Sequence, residues 1–364
     1  MSSHFIALSD LHLGYDRSVL NDLAAQRNLA NELAMVCSGQ ADRLILNGDC
    51  FEACVPRDAG EHDRYGYPPS MATAARSFFE EITSRIKIES LILVWGNHDY
   101  AMWKRLASSC GVPVFTNNLK GDVLLQRDSE VIRGANSFVE DVIGPASKKF
   151  FRIRSAYPNY VLGRYWPYLV FHHGHLLDDL VLGINHNDAT YLALRLLMGE
   201  GRPSVNVGGE ETIESIHRKT EAFIAAMWKY NSNVREEEWA LIRRGSKGKR
   251  CPNFPHEEGS SRKMVVGEEQ EDHLGRVAPW YVSTLMADPT TPGAIGPIAH
   301  PSYLFIGHDH GGGSMDISTL DNRPWKVINS GGWTADGGCH EPHAHVVVWN
   351  KCDDGPISVC VKTT

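Results

Sequence analysis

The 364-residue sequence predicts an α/β fold built on parallel strands, and three observations carry that expectation. Short apolar runs alternate with longer amphipathic stretches through the first hundred residues. The runs are too continuously apolar for half-solvated strands, which would alternate apolar and polar residues. Each of five such runs also ends in Asp, Asn or His, residues that a strand buried only for packing has no use for.

The elements follow in order. HFIALSD is a first strand, and residues 16–37 then carry Leu20, Leu23, Ala30, Leu33 and Cys37 at helical spacing. RLILNGD is a second strand. Residues 70–86, rich in Ala, Phe and Glu, form a second helix with Ser70 in the N-cap position, leading into LILVWGNHD as the third strand. A βαβαβ order with right-handed crossovers puts the carboxyl ends of all three strands on one edge, where ligand sites of open α/β sheets form. YLVFHHGH (168–175) and YLFIGHDH (303–310) repeat the pattern, and WKVINSGGWT, HAHVVVW and ISVCVK read as strands returning to the sheets.

Between these lies a different segment, 176–300. LLDDLVLGI and ATYLALRLLM suggest a helix pair, and residues 212–228 place Ile213, Ile216, Phe223 and Met227 on one helical side. Gly-, Pro- and Ser-rich loops follow. The segment reads as a mainly helical cap inserted into one domain, whose parts are 1–175 and 301–364.

Composition narrows the function classes. Acidic residues outnumber basic ones by 44 to 36, so the net charge of −8 gives no global positive field for nucleic acid or anionic membrane. No run approaches the roughly 18 apolar residues of a membrane span, and MSSHFIALSD enters a strand rather than a leader. The expectation is a cytoplasmic protein. Its eight cysteines are scattered without a CxxC pair, which points to reduced thiols; Cys50 and Cys54, beside a motif, read as packing residues.

The polar residues at the strand ends are Asp10 and His12 (SDLHLG), Asp49 and Glu52 (NGDCFE), and Asn97, His98 and Asp99 (WGNHDY). FHHGH adds His172, His173 and His175, and IGHDH adds His308 and His310, so seven of seventeen histidines fall in these motifs. Imidazole, carboxylate and amide oxygen suit divalent Mn, Fe or Zn. The candidates exceed what one ion needs, and a carboxylate such as Asp49 can bridge two cations at roughly 3.5–4 Å. Gly96 offers a sharp exit from its strand, and Gly48, Gly174 and Gly307 stand in similar positions.

The ordered set DxH, GDxxE, GNHD, a strand ending in HG, and GHxH closely resembles the calcineurin-like metallophosphoesterase superfamily, over residues 5–175 and 301–334. The resemblance implies a four-layer α-β-β-α sandwich of two mixed sheets flanked by helices. It implies Asp10, His12, Asp49 and His310 around one metal and Asp49, Asn97, His173 and His308 around the other, with Asp49 bridging. Mn²⁺ is the first expectation, with Fe, Zn or Mg as alternatives. The implied reaction is hydrolysis of a phosphomonoester, diester or pyrophosphate by a hydroxide shared between the ions. By the same resemblance His98 protonates the leaving oxygen, Glu52 orients His98, and His175 is a candidate for lining the substrate.

The expected substrate is small and phosphorylated or nucleotide-containing. GDCFEA and the helical insertion are similar to the UDP-2,3-diacylglucosamine pyrophosphatases, which usually carry arginine where this chain has His98 and are much shorter. A DNA or RNA nuclease, sharing DxH, GDxF, GNHD and GHxH, is the alternative, and a non-catalytic scaffold a third reading. Three further stretches have plainer explanations: His172 as a packed neighbour, CHEPHAH (339–345) as polar residues entering a terminal strand, and KKFFRIR (148–154) as a strand with alternating faces. RRGSKGKR reads as a solvated loop.

Overall fold

A computed structural model describes residues 4–15, 18–53, 69–99, 102–103, 106, 122–123, 141–157, 159–162, 169–174, 302–308, 313–318, 324–334, 345–350 and 356–360. The expected cap (176–300) lies outside the described residues, as do His175, His310 and Cys54.

All five sequence-predicted runs are strands: β1 (His4–Leu8), β2 (Gln40–Asn47), β3 (Lys87–Val94), β7 (Leu169–His172) and β8 (Ser302–Ile306). Seven further strands join them among the described residues: β4 (Asp122–Val123), β5 (Arg152–Ala156), β6 (Asn159–Leu162), β9 (Gly313–Ser318), β10 (Pro324–Asn329), β11 (His345–Asn350) and β12 (Ile357–Cys360). They form two mixed sheets. One is seven-stranded in the order β12-β11-β1-β2-β3-β5-β4, the other five-stranded in the order β6-β7-β8-β10-β9. β1, β2 and β3 are mutually parallel, as the βαβαβ pattern requires, and β7 and β8 are parallel in the other sheet.

Strand periodicity explains the layering. Ile6, Leu8, Leu44, Leu46, Leu91 and Leu93 point to a core shared with Leu29 and Leu33 of helix α1 (Leu23–Val36) and Phe78, Phe79 and Ile82 of α2 (Pro69–Arg85). Their strand neighbours Phe5, Ala7, Ile45, Ile92 and Val94 point the other way, to Phe171, Tyr303, Phe305 and Ile328 of the second sheet. Successive side chains leave opposite faces of a strand, so a continuous apolar run is what a sheet covered on both faces needs. Phe171 and Phe305 stack at 4.5 Å between centroids, with Phe5 edge-on to Phe171 at 5.3 Å. The described layers are therefore helices, sheet and sheet. The fourth layer expected from the resemblance falls outside the described residues.

Two helix boundaries differ from the sequence expectation. The first helix begins at Leu23 rather than near residue 16, because Asp22 caps it by accepting from Ala24 N–H at 2.6 Å and a short 3₁₀ turn, Val19–Asn21, precedes it. The second begins at Pro69, so Ser70 sits inside its first turn and is not the cap. Proline at a first helical position has φ preset and no N–H to leave unbonded. Only the end of the KKFFRIR stretch is a strand, contrary to expectation: Lys148 and Lys149 close a 3₁₀ turn (Gly144–Lys149), Phe150 turns into the core, Phe151 is exposed, and β5 starts at Arg152. No described helix is long and apolar enough to cross a membrane.

Candidate metal centre

The two parallel segments leaving β1 and β2 stay hydrogen-bonded past the ends of their strands. Asp10 N–H donates to Gly48 O at 3.0 Å, His12 N–H to Asp49 O at 2.9 Å and Leu13 N–H to Cys50 O at 3.0 Å. Glu52 N–H then donates back to Leu13 O at 3.1 Å. This ladder brings the DxH and GDxxE motifs side by side, and β3 delivers GNHD next to them.

The backbone there is strained. Five described non-glycine residues have positive φ, and four of them are Asp10 (53°), His12 (44°), Asp49 (50°) and His308 (69°). Left-handed backbone costs an L-residue about 1–2 kcal/mol, so four instances among the predicted ligands require strong local support and mark the site independently of the motifs. Gly96 and Gly307 serve a purpose different from the sharp exit expected of them, since neither has positive φ. A Cβ at Gly96 would collide with the Asp49 carboxylate, and one at Gly307 with the side chains of Ser9 and Asp10. They are small because ligand side chains lie against their backbone.

The side chains converge. Donor atoms of Asp49, His173 and His308 lie within 4.8 Å of one another, and so do those of Asp10, His12 and Asp49. Asp49 belongs to both groups. His173 Nε2 is 2.9 Å from Asp49 Oδ2 and 3.1 Å from Asn97 Oδ1, and 4.0 Å from Asp10 Oδ1. His308 enters through its backbone, whose N–H donates to both Asp10 carboxylate oxygens at 3.0 Å. Apart from half-buried His308, these residues are buried.

Ring orientation follows from the second nitrogen. His173 Nδ1 donates to Asn47 O at 3.1 Å, which turns Nε2 toward Asp49 and Asn97. Glu52 serves two rings at once: Oε2 takes His12 Nδ1 at 3.0 Å and Oε1 takes His98 Nδ1 at 3.1 Å. The His12 and His98 rings meet edge to face at 4.8 Å. His98 N–H also donates to Asp49 Oδ1 at 2.8 Å, and its Nε2 lies 3.9 Å from Asp49 Oδ2.

Buried charges control one another. Burial is the largest influence on His98 and lowers its basicity, but Glu52 and Asp49 overcome it and push the imidazole up to about 9. His173 follows the same pattern: burial opposes its charge, Asp49 and Asp10 favour it, and the result is about 9. Burial would raise the Asp49 carboxyl, yet His173 and His98 hold it well below the usual carboxylate range. Asp99, buried and facing Asp49, is pushed up to about 7.

These buried imidazoles and carboxylates, with Asp49 shared between two groups, could hold a metal ion. Asp10, His12, Asp49, His173 and His308 come together as expected, with Asn97 oxygen beside them and His98 and Glu52 paired. His172 is a packed residue, wholly buried and accepting from Gly174 N–H at 2.9 Å through Nδ1. Cys50 is buried in the helix-side core, a packing role.

Three contributors were not assigned roles from sequence. Asp99 accepts from Cys50 N–H at 3.0 Å and Gly96 N–H at 2.5 Å, fastening the β2 and β3 exits together. Ser9 Oγ donates to Asn47 O at 2.9 Å and also contacts the Asp10 carboxylate. Asn47 is the third. The available signal was adjacency: each lies within two residues of a predicted ligand. No protein-family model matches the chain, and no curated protein matches it.

Proposed function

We propose that this protein is a metal-dependent phosphoester hydrolase of the calcineurin-like metallophosphoesterase type, acting on a small phosphorylated or nucleotide-containing substrate. The observation that carries the reading is the convergence of Asp10, His12, Asp49, His173 and His308 around a shared carboxylate, with a Glu52-paired His98 against it. Asp10, His12 and Asp49 would hold one ion, and Asp49, Asn97, His173 and His308 the other. Divalent ions bound there supply charge for phosphoryl oxygens and lower the pKa of bound water.

The chain's own residues supply the rest. Glu52 fixes His98 by Nδ1, so Nε2 is the atom that can give a proton to a leaving oxygen. Glu52 and Asp49 favour that proton on the ring, pushing His98 up to about 9 in the metal-free chain. Glu52 and the Asn47 carbonyl set His12 and His173 so that Nε2 of each is the nitrogen for a cation. Asn97 contributes a neutral oxygen, which limits the negative charge packed into a buried space.

The test is hydrolysis of bis-p-nitrophenyl phosphate and p-nitrophenyl phosphate with Mn²⁺, with chelator, and with Asp49→Ala and His98→Ala. Manganese-dependent turnover lost in Asp49→Ala and reduced about 10²–10⁴-fold in His98→Ala is expected. A protein that binds no divalent ion would overturn the reading and leave the scaffold alternative.

A further inference from the structure

We infer that Asn47 is a positioning residue of the metal centre, whose carboxamide holds the ends of the two sheets in register so that their ligands meet. The inference rests on the metal-centre reading above. Asn47 is the last residue of β2, two before Asp49, and it is buried. Its Nδ2 donates across the sandwich to His172 O and Phe305 O, each at 3.2 Å. These two carbonyls belong to β7 and β8, parallel neighbours in the second sheet.

One amide therefore ties the strand of Asp49 to the residue before His173 and to the main chain three residues before His308. Gly307 N–H closes the arrangement by donating to His173 O at 2.7 Å. The Asn47 backbone carbonyl adds a second link, accepting from His173 Nδ1 and Ser9 Oγ. Ligands from β1, β2, β7 and β8 are all referenced to this residue.

Two features separate this from ordinary packing. The contacts of His173 with Asp49 and Asn97 use the atoms that would hold a cation, so cation binding must rearrange them. Neither Asn47 side-chain bond uses such an atom, so neither has to break for a cation to enter. Second, Asn47 Oδ1 is buried with no hydrogen-bond partner. An unsatisfied buried acceptor is destabilising, and an apolar side chain at this position would avoid it. The fork of two N–H groups is what that cost retains.

Gln26 provides an internal control. It is also a buried carboxamide donating to two carbonyls, Leu20 O at 2.7 Å and Ala74 O at 3.3 Å, but it does so on the helix layer. Full-length wild type, Asn47→Leu, Asn47→Ser and Gln26→Leu would be compared by Mn²⁺ titration calorimetry, by electron paramagnetic resonance of the bound manganese, and by thermal midpoint. Asn47→Leu is expected to bind Mn²⁺ about 10–100-fold more weakly, with a changed spin-coupling signature, the magnitude usual for residues supporting metal ligands. Asn47→Ser, which keeps one donor, should fall between. Gln26→Leu should lower the midpoint and leave manganese binding as in wild type.

A folded Asn47→Leu with wild-type affinity and spectrum overturns the inference while the metal centre stands. If both Asn47 variants fail to fold and Gln26→Leu folds, Asn47 is a folding residue and the inference also fails. Wild-type protein that binds no Mn²⁺ or Zn²⁺ removes the metal-centre reading, and this inference with it.

Discussion

The helix-covered face of the seven-stranded sheet and its carboxyl edge are built from the same three strands on opposite principles. On the face, α1 and α2 lay Leu29, Leu33, Phe78 and Phe79 on Leu44, Leu46 and Leu91 with regular backbone, and the charges stay outside. Arg27 reaches Glu81 at 3.2 Å and Arg85 reaches Glu81 at 2.6 Å on the helix surface. At the edge the charges are inside, and the backbone is left-handed at Asp10, His12 and Asp49. The face stabilises and the edge spends part of that stability, which is how pre-organised sites are usually supported.

The comparison can be broken most forcefully on the face. Phe78→Ala should cost about 3–5 kcal/mol of stability, read by denaturant unfolding, because a buried ring is replaced by a cavity. Manganese affinity of the folded fraction should be unchanged; a parallel loss of affinity would show that face and edge are not separable. Next in size is Glu52→Gln at the edge, which should lower turnover about 10–100-fold. In chelator, His98 should then titrate below about 9 by NMR, since Glu52 is its leading charge partner.

A smaller effect separates the regions by pH. In metal-free protein His98 and His173 hold protons up to about 9, against the ordinary 6.5. Their contribution to stability is full below pH 6.5 and is lost as pH rises through about 9. Thermal midpoints in chelator should fall over that window, and Mn²⁺ binding in the same window should release protons measurable by calorimetry in two buffers. A flat profile would mean the imidazoles are neutral in the folded protein. The smallest effect belongs to the surface pair: Arg27→Ala should change stability by about 0–1 kcal/mol and vanish further with salt, because Arg27 is largely exposed.

Much of this division was legible in the sequence, for a physical reason. Strands buried on both faces must be apolar throughout, so HFIAL and LILV read as strands at once, and polar residues at their ends had to serve something other than the core. Which sheet each strand joins was not legible. LVFH of β7 and LILV of β3 carry the same local pattern, and the pairing is decided by contacts distant in sequence. The first helix began late because Asp22 competes for the backbone N–H groups that helical periodicity alone would have assigned further back. Asn47 went unnoticed because, written as LILNGD, it looks like the start of a turn. Its partners are 125 and 258 residues away.

The alternation along β2 has a consequence for which changes in chain length this protein tolerates. Leu44 and Leu46 face the helices while Ile45 faces the second sheet. Deleting one residue within this strand would exchange the two sets, since side-chain direction repeats every second residue. Leucines shaped for helix ridges would meet the aromatic stack of Phe171 and Phe305, and Asn47 would turn its amide away from the carbonyls it now bridges. Point substitutions within β2 should therefore be tolerated far more often than single-codon deletions.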